Sequence, residues 1–478
     1  MRLLTLIIFF LALPWNTIAQ WYDWSEPFPM TDSLSDNINP FLHYSWDNGE
    51  AVYMVWENSM DSISTEIWLD NILDANPPQL VLADSGIHYT HPKILGDWGS
   101  YGEILFYLFY QSDESGNEDI YAVPYMLDGT WGDPEAIAVT PDDDVQLSVS
   151  RDMFADATTW IRGLVSWISG DDLYACFLQK DGSSYYLDDP ILIDSGICSS
   201  PSVIGIDNYE RMLYNRLDSN GQHIYKASYN INTGWDPPGV FFDSLESKNP
   251  TAASYYIYPV WSVKTDSNWQ IMIKDWNDYE VYNISSAEPF DPAALGVFFG
   301  VKSWFPEIIV AVEYPKDSVT EIFMTVEMGS GDFANFSNSG TENRHPQFFY
   351  GESDTYNSWC WNNYLVWEST RNGHWQIWGA KYIMCGGGIN DAEESHFIKV
   401  FPNPFEHETN IELTLDADVI ITAEIFDQYG KQVITLVDKY FLQGTHQLRW
   451  NTEGIAPGIY LLRVKVGKEL FTCKLIKR

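Results

Sequence analysis

One pattern recurs seven times along the first four-fifths of the chain, and it limits the possible folds more than any other feature. An apolar, aromatic stretch runs into a polar turn, and then into a second stretch opened by Ile or Leu. The copies are VYMVWENSMDSISTEIW (52–68), ILFYLFYQSDESGNEDIY (104–121), GLVSWISGDDLY (163–174), RMLYNRLDSNGQHIY (211–225), IYPVWSVKTDSNWQIM (257–272), IIVAVEYPKDSVTEIF (308–323) and YLVWESTRNGHWQIW (364–378). The second stretches open at Ile67, Ile120, Leu173, Ile224, Ile271, Ile322 and Ile377, with spacings of 53, 53, 51, 47, 51 and 55 residues. A proline precedes most copies, at Pro40, Pro92, Pro201, Pro250, Pro306 and Pro346; the third copy has Leu147-Ser148 there. Proline suits the first residue of a strand, where no ladder donor is needed. Each unit then holds about four strands: a proline-led strand, the two arms of a hairpin, and a last strand such as PQLVLAD or DPILID.

Four-stranded units repeating every ~50 residues read as a β-propeller, and seven copies predict seven blades. Stacked blades bury both faces of each sheet, which accounts for 21 Trp, 29 Tyr and 25 Phe as core. The seventh copy ends after its third strand. The segment PFPMTDSLSDNINP near the start resembles the fourth-strand segments elsewhere, so it is expected to complete the last blade and remove the open edges.

Charge divides the chain. Lys and Arg number 26 against 67 Asp and Glu, a net charge of −41. From His396 onward the count is 10 of each sign, so the preceding part carries the whole excess. Such acidity disfavours nucleic acid or an anionic membrane as partner. The boundary falls at CGGGIN, and 386–395 reads as a linker. Residues 1–19 read as a signal peptide: Arg2 is the positive end, Leu3 to Leu13 form a short apolar core, and Thr17-Ile18-Ala19 ends at a cleavage site. A buried N-terminal element is the other reading. No later run reaches the ~18 apolar residues of a transmembrane helix. The predicted propeller thus spans 20–385.

Export permits disulfides. With Cys473 set aside in the C-terminal segment, the layout predicts the pairs Cys176–Cys198 and Cys360–Cys385. Each pair is expected at neighbouring strand ends within one unit.

The turns SDESGNEDIY, DSNGQHIY and STRNGHWQIW resemble those of TolB-type propeller repeats and, loosely, the Asp-boxes of sialidases. The resemblance covers the repeats alone and implies fold, not activity.

From Phe397 alternating strands such as IELTL, AEIF and YLLRVKV predict a small antiparallel β-sandwich of about seven strands, immunoglobulin-like in class. This segment, 396–478, resembles the type A C-terminal sorting domain of the type IX secretion system of Gram-negative bacteria. The resemblance is carried by Pro402-Asn403-Pro404-Phe405, Asp427-Gln428-Tyr429-Gly430-Lys431, Gly444-Thr445-His446 with Trp450-Asn451, Gly458-Ile459-Tyr460 and Lys474-Leu475-Ile476-Lys477. It implies passage through the periplasm to the cell surface or beyond. The partners it implies are the secretion machinery and a surface peptidase that removes the domain.

Propellers place ligands at the mouth of the axial channel. The links into the proline-led strands carry Asn39, His91, Asn249 and His345, with Tyr89, Trp98 and Trp304 nearby. Of these, His91, Trp98, Asn249, Trp304 and His345 are the candidate ligand contacts: polar groups beside aromatic platforms suit a glycan or a peptide. Their alternative role is to cap and pack the blades. Acidic turns at Asp113-Glu114 and Asp142-Asp143-Asp144 offer oxygens to Ca²⁺, or simply a solvated surface; no other cofactor is indicated. No hydrolase, Walker or metalloprotease motif is present, and the few Arg of the repeats occupy no repeating position. The expectation is a non-enzymatic surface or secreted module that binds an extracellular glycan or protein. The alternatives are a glycoside hydrolase or lyase working at the channel mouth, or a structural adhesion component.

Overall fold

The computed structural model describes residues 25–478 except 33, 46–50, 60–62, 75, 97–102, 151–152, 156–160, 182–183, 207–208, 231, 243–244, 253–258, 266–268, 275–280, 284–294, 303–304, 317, 326–332, 353–359, 386–397, 404, 406, 416–418, 428–430, 453 and 467–468. The predicted signal peptide and linker therefore lie outside the described residues, as do Trp98, Trp304, Pro404 and Gly430. Every helix or strand assigned among the described residues is a strand. The chain forms two compact units, Met1–Gly386 and Gly387–Arg478.

In the first unit each sequence repeat becomes one antiparallel sheet. The first runs Asp36–Ser45, Ala51–Ser59, Glu66–Asn71, Gln79–Leu82, and the second Tyr89–Gly96, Ile104–Ser112, Asp119–Met126, Glu135–Ala138. Sheets three to six open with Asp144–Val149, Ile197–Ile206, Ser247–Ala252 and Leu295–Lys302. The seventh holds Asn343–Glu352, Cys360–Ser369 and Gln376–Cys385, and its fourth strand is Phe28–Pro29 from the start of the chain. Phe28 pairs with Gly379 and Pro29 with Trp378.

Packing joins the sheets in order. Val55 and Ile67 meet Ile94 and Leu105; Leu95 and Phe109 meet Val165 and Trp167; Leu164 and Phe177 meet Met212 and Tyr214. Leu213 and Ile224 pack on Trp261, and Ala311 and Ile322 on Leu365 and Trp367. Tyr364 and Val366 then pack on Val52 and Met54 of the first sheet. The inner strands Ser247–Ala252 and Leu295–Lys302 are in contact between the fifth and sixth sheets. This succession, returning to its start through apolar seams, makes the unit a β-propeller. The driving force is burial: strands apolar on both faces, such as ILFYLFY, are stable only when neighbours cover both.

The prolines occupy a different place from the one expected. Pro40, Pro92, Pro201, Pro250 and Pro346 lie within the inner strands, not at their starts. Each follows a residue with left-handed backbone: Asn39 (φ 51°), His91 (51°), Ser200 (50°), Asn249 (54°) and His345 (53°). The ladder skips one step there, so two residues oppose a single aromatic: Trp56, Tyr110, Tyr214, Trp261 or Trp367. These are β-bulges, the one place where the interior of a strand accepts proline. Gln146 (φ 57°) and Leu147 form the same bulge opposite Trp167 without a proline. Pro306 does not belong to the series, because Phe305–Lys316 is the second strand of its sheet.

Cys176 and Cys198 are unbonded, which corrects the predicted pair. Cys198 sits in the inner strand of the fourth sheet, opposite Arg216, rather than behind the third. Cys176 packs with Leu95 and Trp167 on one side of the third sheet, while Cys198 packs with Leu164 and Met212 on the other. Burial pushes each thiol up to about 12. Cys360 and Cys385 are register partners across antiparallel strands, a spacing that a disulfide can bridge. A Cys360–Cys385 bond remains our proposal. Titrating the five cysteines in the denatured, unreduced full chain should then find three free thiols, and five would refute the bond.

The second unit packs a three-stranded sheet (Ile398–Phe401, Glu408–Leu415, Gly444–Asn451) and a four-stranded one (Gln432–Phe441, Val419–Asp427, Gly458–Val466, Glu469–Lys477) on one core. Ile411, Leu413, Ile421, Ile425, Trp450, Leu462 and Leu475 fill it. Asn403 Oδ1 accepts the Ile476 N–H at 2.8 Å, and Phe405 N–H donates to the Ile476 carbonyl at 3.0 Å. The Pro402–Phe405 segment thereby fixes the end of the last strand. Tyr460, from the Gly458-Ile459-Tyr460 element, buries its ring and donates its hydroxyl to the Ala456 carbonyl at 2.7 Å. Lys431 lies exposed just before Gln432–Phe441, and Lys474 stands in the last strand opposite Leu461.

Candidate functional site

The bulges bring the left-handed residues together on the inner strands, and three of the predicted contacts, His91, Asn249 and His345, are among them. They are not loop residues, as the sequence suggested. At four bulges a backbone N–H turns toward the neighbouring sheet and is received by a side chain at one repeated place, directly after Trp56, Tyr110, Val312 or Trp367. Glu57 Oε1 accepts His91 N–H at 2.6 Å, Glu313 Oε1 accepts His345 N–H at 2.6 Å, and Glu368 Oε1 accepts Asn39 N–H at 2.7 Å. Gln111, at the equivalent place in the second sheet, receives Leu147 N–H at 3.4 Å. In the third sheet this place is Ile168, which accepts nothing, and Gln146 reaches Ser200 N–H at 2.6 Å instead.

Where three successive sheets supply glutamates, the latches fuse into a network. His345 Nδ1 lies 3.0 Å from Glu368 Oε1, and Arg344 Nε donates to Glu368 Oε2 at 2.5 Å. Asn39 Nδ2 donates to Glu57 Oε1 at 2.5 Å. A continuous chain thus runs Glu313–His345–Glu368–Asn39–Glu57–His91, crossing the seam where the start of the chain meets the seventh sheet.

The carboxylates sit behind the donors. Glu368, Glu57 and Glu313 are 0%, 3% and 7% exposed, whereas His91 and His345 are exposed. Lys93 stands two residues past His91, 5.0 Å over the ring of Phe41. Burial pushes the Glu57 carboxyl up to about 7, against the opposing pull of its hydrogen bonds. Burial also raises Glu313. For Glu368 burial is likewise the largest influence. The His345 hydrogen bond and the charges of His345 and Arg344 together outweigh it and hold this carboxyl low. His345 is raised: burial opposes protonation, but Glu368 and Glu313 favour it more. Desolvation by the groups crowded around them lowers His91 to about 4 and Lys93 to about 8, although His91 keeps a solvent-accessible surface.

Glu57 has a measurable consequence. Its folded carboxyl binds a proton more tightly than the unfolded one, so its stabilisation is present at acid pH and lost as pH rises through about 7. The Glu57→Gln variant keeps an acceptor for His91 N–H, as Gln111 does naturally. Between pH 5 and 8 the native protein should therefore lose up to about 3 kcal/mol relative to E57Q, measured by urea unfolding at each pH. Parallel pH curves would contradict this.

The sequence reading missed Glu57, Glu313 and Glu368. Their signal was present: VWEN, AVEY and VWES carry an acid at the same place in three copies, in strands otherwise apolar. The acidic turns act locally. Asp113 Oδ1 accepts His88 N–H at 2.8 Å, and Asp143 Oδ1 accepts Glu118 N–H at 3.2 Å. Among the described residues no group of three His, Cys, Asp or Glu is arranged to hold a metal ion.

Residues 399–478 match the family described as the secretion system C-terminal sorting domain. The chain is thus an all-β propeller protein carrying a type IX secretion sorting domain. That domain directs it to the cell surface or the extracellular space through the secretion machinery. No curated protein matches the chain. Among solved structures, a Trypanosoma rangeli sialidase mutant displaying trans-sialidase activity is similar at 9% identity and TM-score 0.36, covering 96% of this chain and 88% of that one. TolB from Acinetobacter baumannii is similar at 10% identity and TM-score 0.31, over 63% and 82%. The haemagglutinin-neuraminidase ectodomain of parainfluenza virus 5 is similar at 6% and 0.37, over 75% and 84%. These likenesses are too distant to carry an activity across.

Proposed function

We propose that the exported protein is a non-enzymatic binding module whose ligand, an extracellular glycan, sits in the axial channel against the inner strands of the seventh, first and second sheets. One observation carries this reading: accessible donors line that arc while its carboxylates are buried and held in backbone bonds. A glycosidase needs two carboxyl groups free to reach the scissile bond, and these three are committed to the latches. Asn249, on the inner strand of the fifth sheet, lies outside the arc and is given no part in holding the ligand. A glycan array with the full chain and a His91→Ala/His345→Ala double variant tests the reading. Binding that the double variant loses supports it; equal binding by both proteins refutes this location.

The runner-up is an extracellular hydrolase or lyase. It draws support from Glu57 and Glu368, neighbours bridged by Asn39 whose proton affinities are pushed in opposite directions, as in acid–base pairs. Cleavage by the native chain, lost on substituting either residue, would favour it.

A further inference from the structure

We propose that His91, Lys93 and His345 form an anion-binding subsite on the channel wall, taking the carboxylate of an acidic saccharide. The inference rests on the channel reading above and names its ligand class.

The three donors come from the two sheets on either side of Asn39, whose bonds to Glu368 and Glu57 link the two bulges. His91 and Lys93 flank Pro92 at one bulge, and His345 occupies the equivalent bulge of the seventh sheet. They lie close enough that Lys93 and His345 both oppose protonation of His91. Their counter-charges lie deeper. Glu368 holds Arg344 and His345, and Glu57 holds Asn39 and the His91 backbone. Lys93 makes no ion pair among the described residues; its ammonium lies over the Phe41 ring, within the field of the deeper Glu57 and Glu368. What the wall presents to a ligand is therefore a set of N–H donors in a chain of net charge −41. A carboxylate there would accept from the ammonium and both imidazoles, and bonds to an ionised partner are stronger than neutral ones.

The test is calorimetric titration of the full chain with oligogalacturonate and with its methyl ester, which exchanges each carboxylate charge for a neutral ester carrying one extra methyl group. The acid form is expected to bind and the ester at least tenfold more weakly. Lys93→Met, which keeps the stem over Phe41, should weaken the acid form by about tenfold to a hundredfold. The His91 imidazole, followed by NMR, should titrate at higher pH in the complex, because a bound anion favours its proton. Equal binding of acid and ester overturns the subsite but leaves the channel reading standing. Binding of polyglutamate with no binding of oligogalacturonate overturns the saccharide assignment, and failure to bind either overturns the subsite. A thermal melt of K93M matching the native protein assigns its loss of binding to the charge. If K93M does not fold, the His91 titration and the ester comparison decide on native protein.

Discussion

Glu368→Ala should destabilise the propeller by about 3–5 kcal/mol, the usual result of removing one partner from a buried charged cluster. The carboxylate is fully buried and accepts from the Asn39 N–H, Arg344 Nε and the His345 ring. Its removal leaves Arg344 without its counter-charge, the His345 ring without its partner and the Asn39 N–H without an acceptor at the ring seam. Urea unfolding followed by tryptophan fluorescence reads the right unit, because Trp450 is the one tryptophan after Gly386. Glu368→Gln should fall between, since it keeps an acceptor but not the charge. A loss below about 1 kcal/mol, the range of a solvent-exposed ion pair, would mean that the network does not hold the seam.

Removal of residues 25–34 should have an effect of similar size by a different route. This segment supplies the fourth strand of the seventh sheet. Its bonds include Ser25 N–H to the Lys381 carbonyl, Met30 N–H to the Ile377 carbonyl, Lys381 N–H to Ser25 Oγ, Ile377 N–H to Thr31 Oγ1 and Gln376 Nε2 to the Thr31 carbonyl. At about 1 kcal/mol each, the loss is about 5 kcal/mol. It also exposes the edge Gln376–Cys385 to strand addition by another copy. The truncated chain is expected to unfold at lower urea and to elute partly as aggregate in size exclusion. A monomer with native stability would show that the ring does not depend on this strand.

The sheets were legible in the sequence because each hairpin repeats a strand that is apolar on both faces. The fourth strand of the last sheet was legible from PFPMTDSLSDNINP, whose partners stand more than 300 residues away in sequence. The bulges were not legible. Proline marks a position without a ladder donor, and a strand start and a bulge meet that condition equally well. The error carried forward: with Pro201 taken as a strand start, Cys198, three residues before it, was assigned to the end of the third sheet, whereas the inner strand of the fourth already begins at Ile197. The glutamate latches were hidden by composition: among 67 acidic residues, no single acid stands out until the strands containing it are aligned. His91 and His345 were found because they precede prolines, a signal whose physical basis is the left-handed bulge rather than the loop first assumed.

The account stands most directly on whether the channel binds without cutting. Reducing-end release from a polysaccharide panel, measured with the full chain, E57Q and E368Q, decides it. The account predicts no release above the protein-free control for any of the three, with retention of the bound polysaccharide. Release by the native chain that is abolished in E57Q or E368Q would contradict it and make the arc a catalytic site.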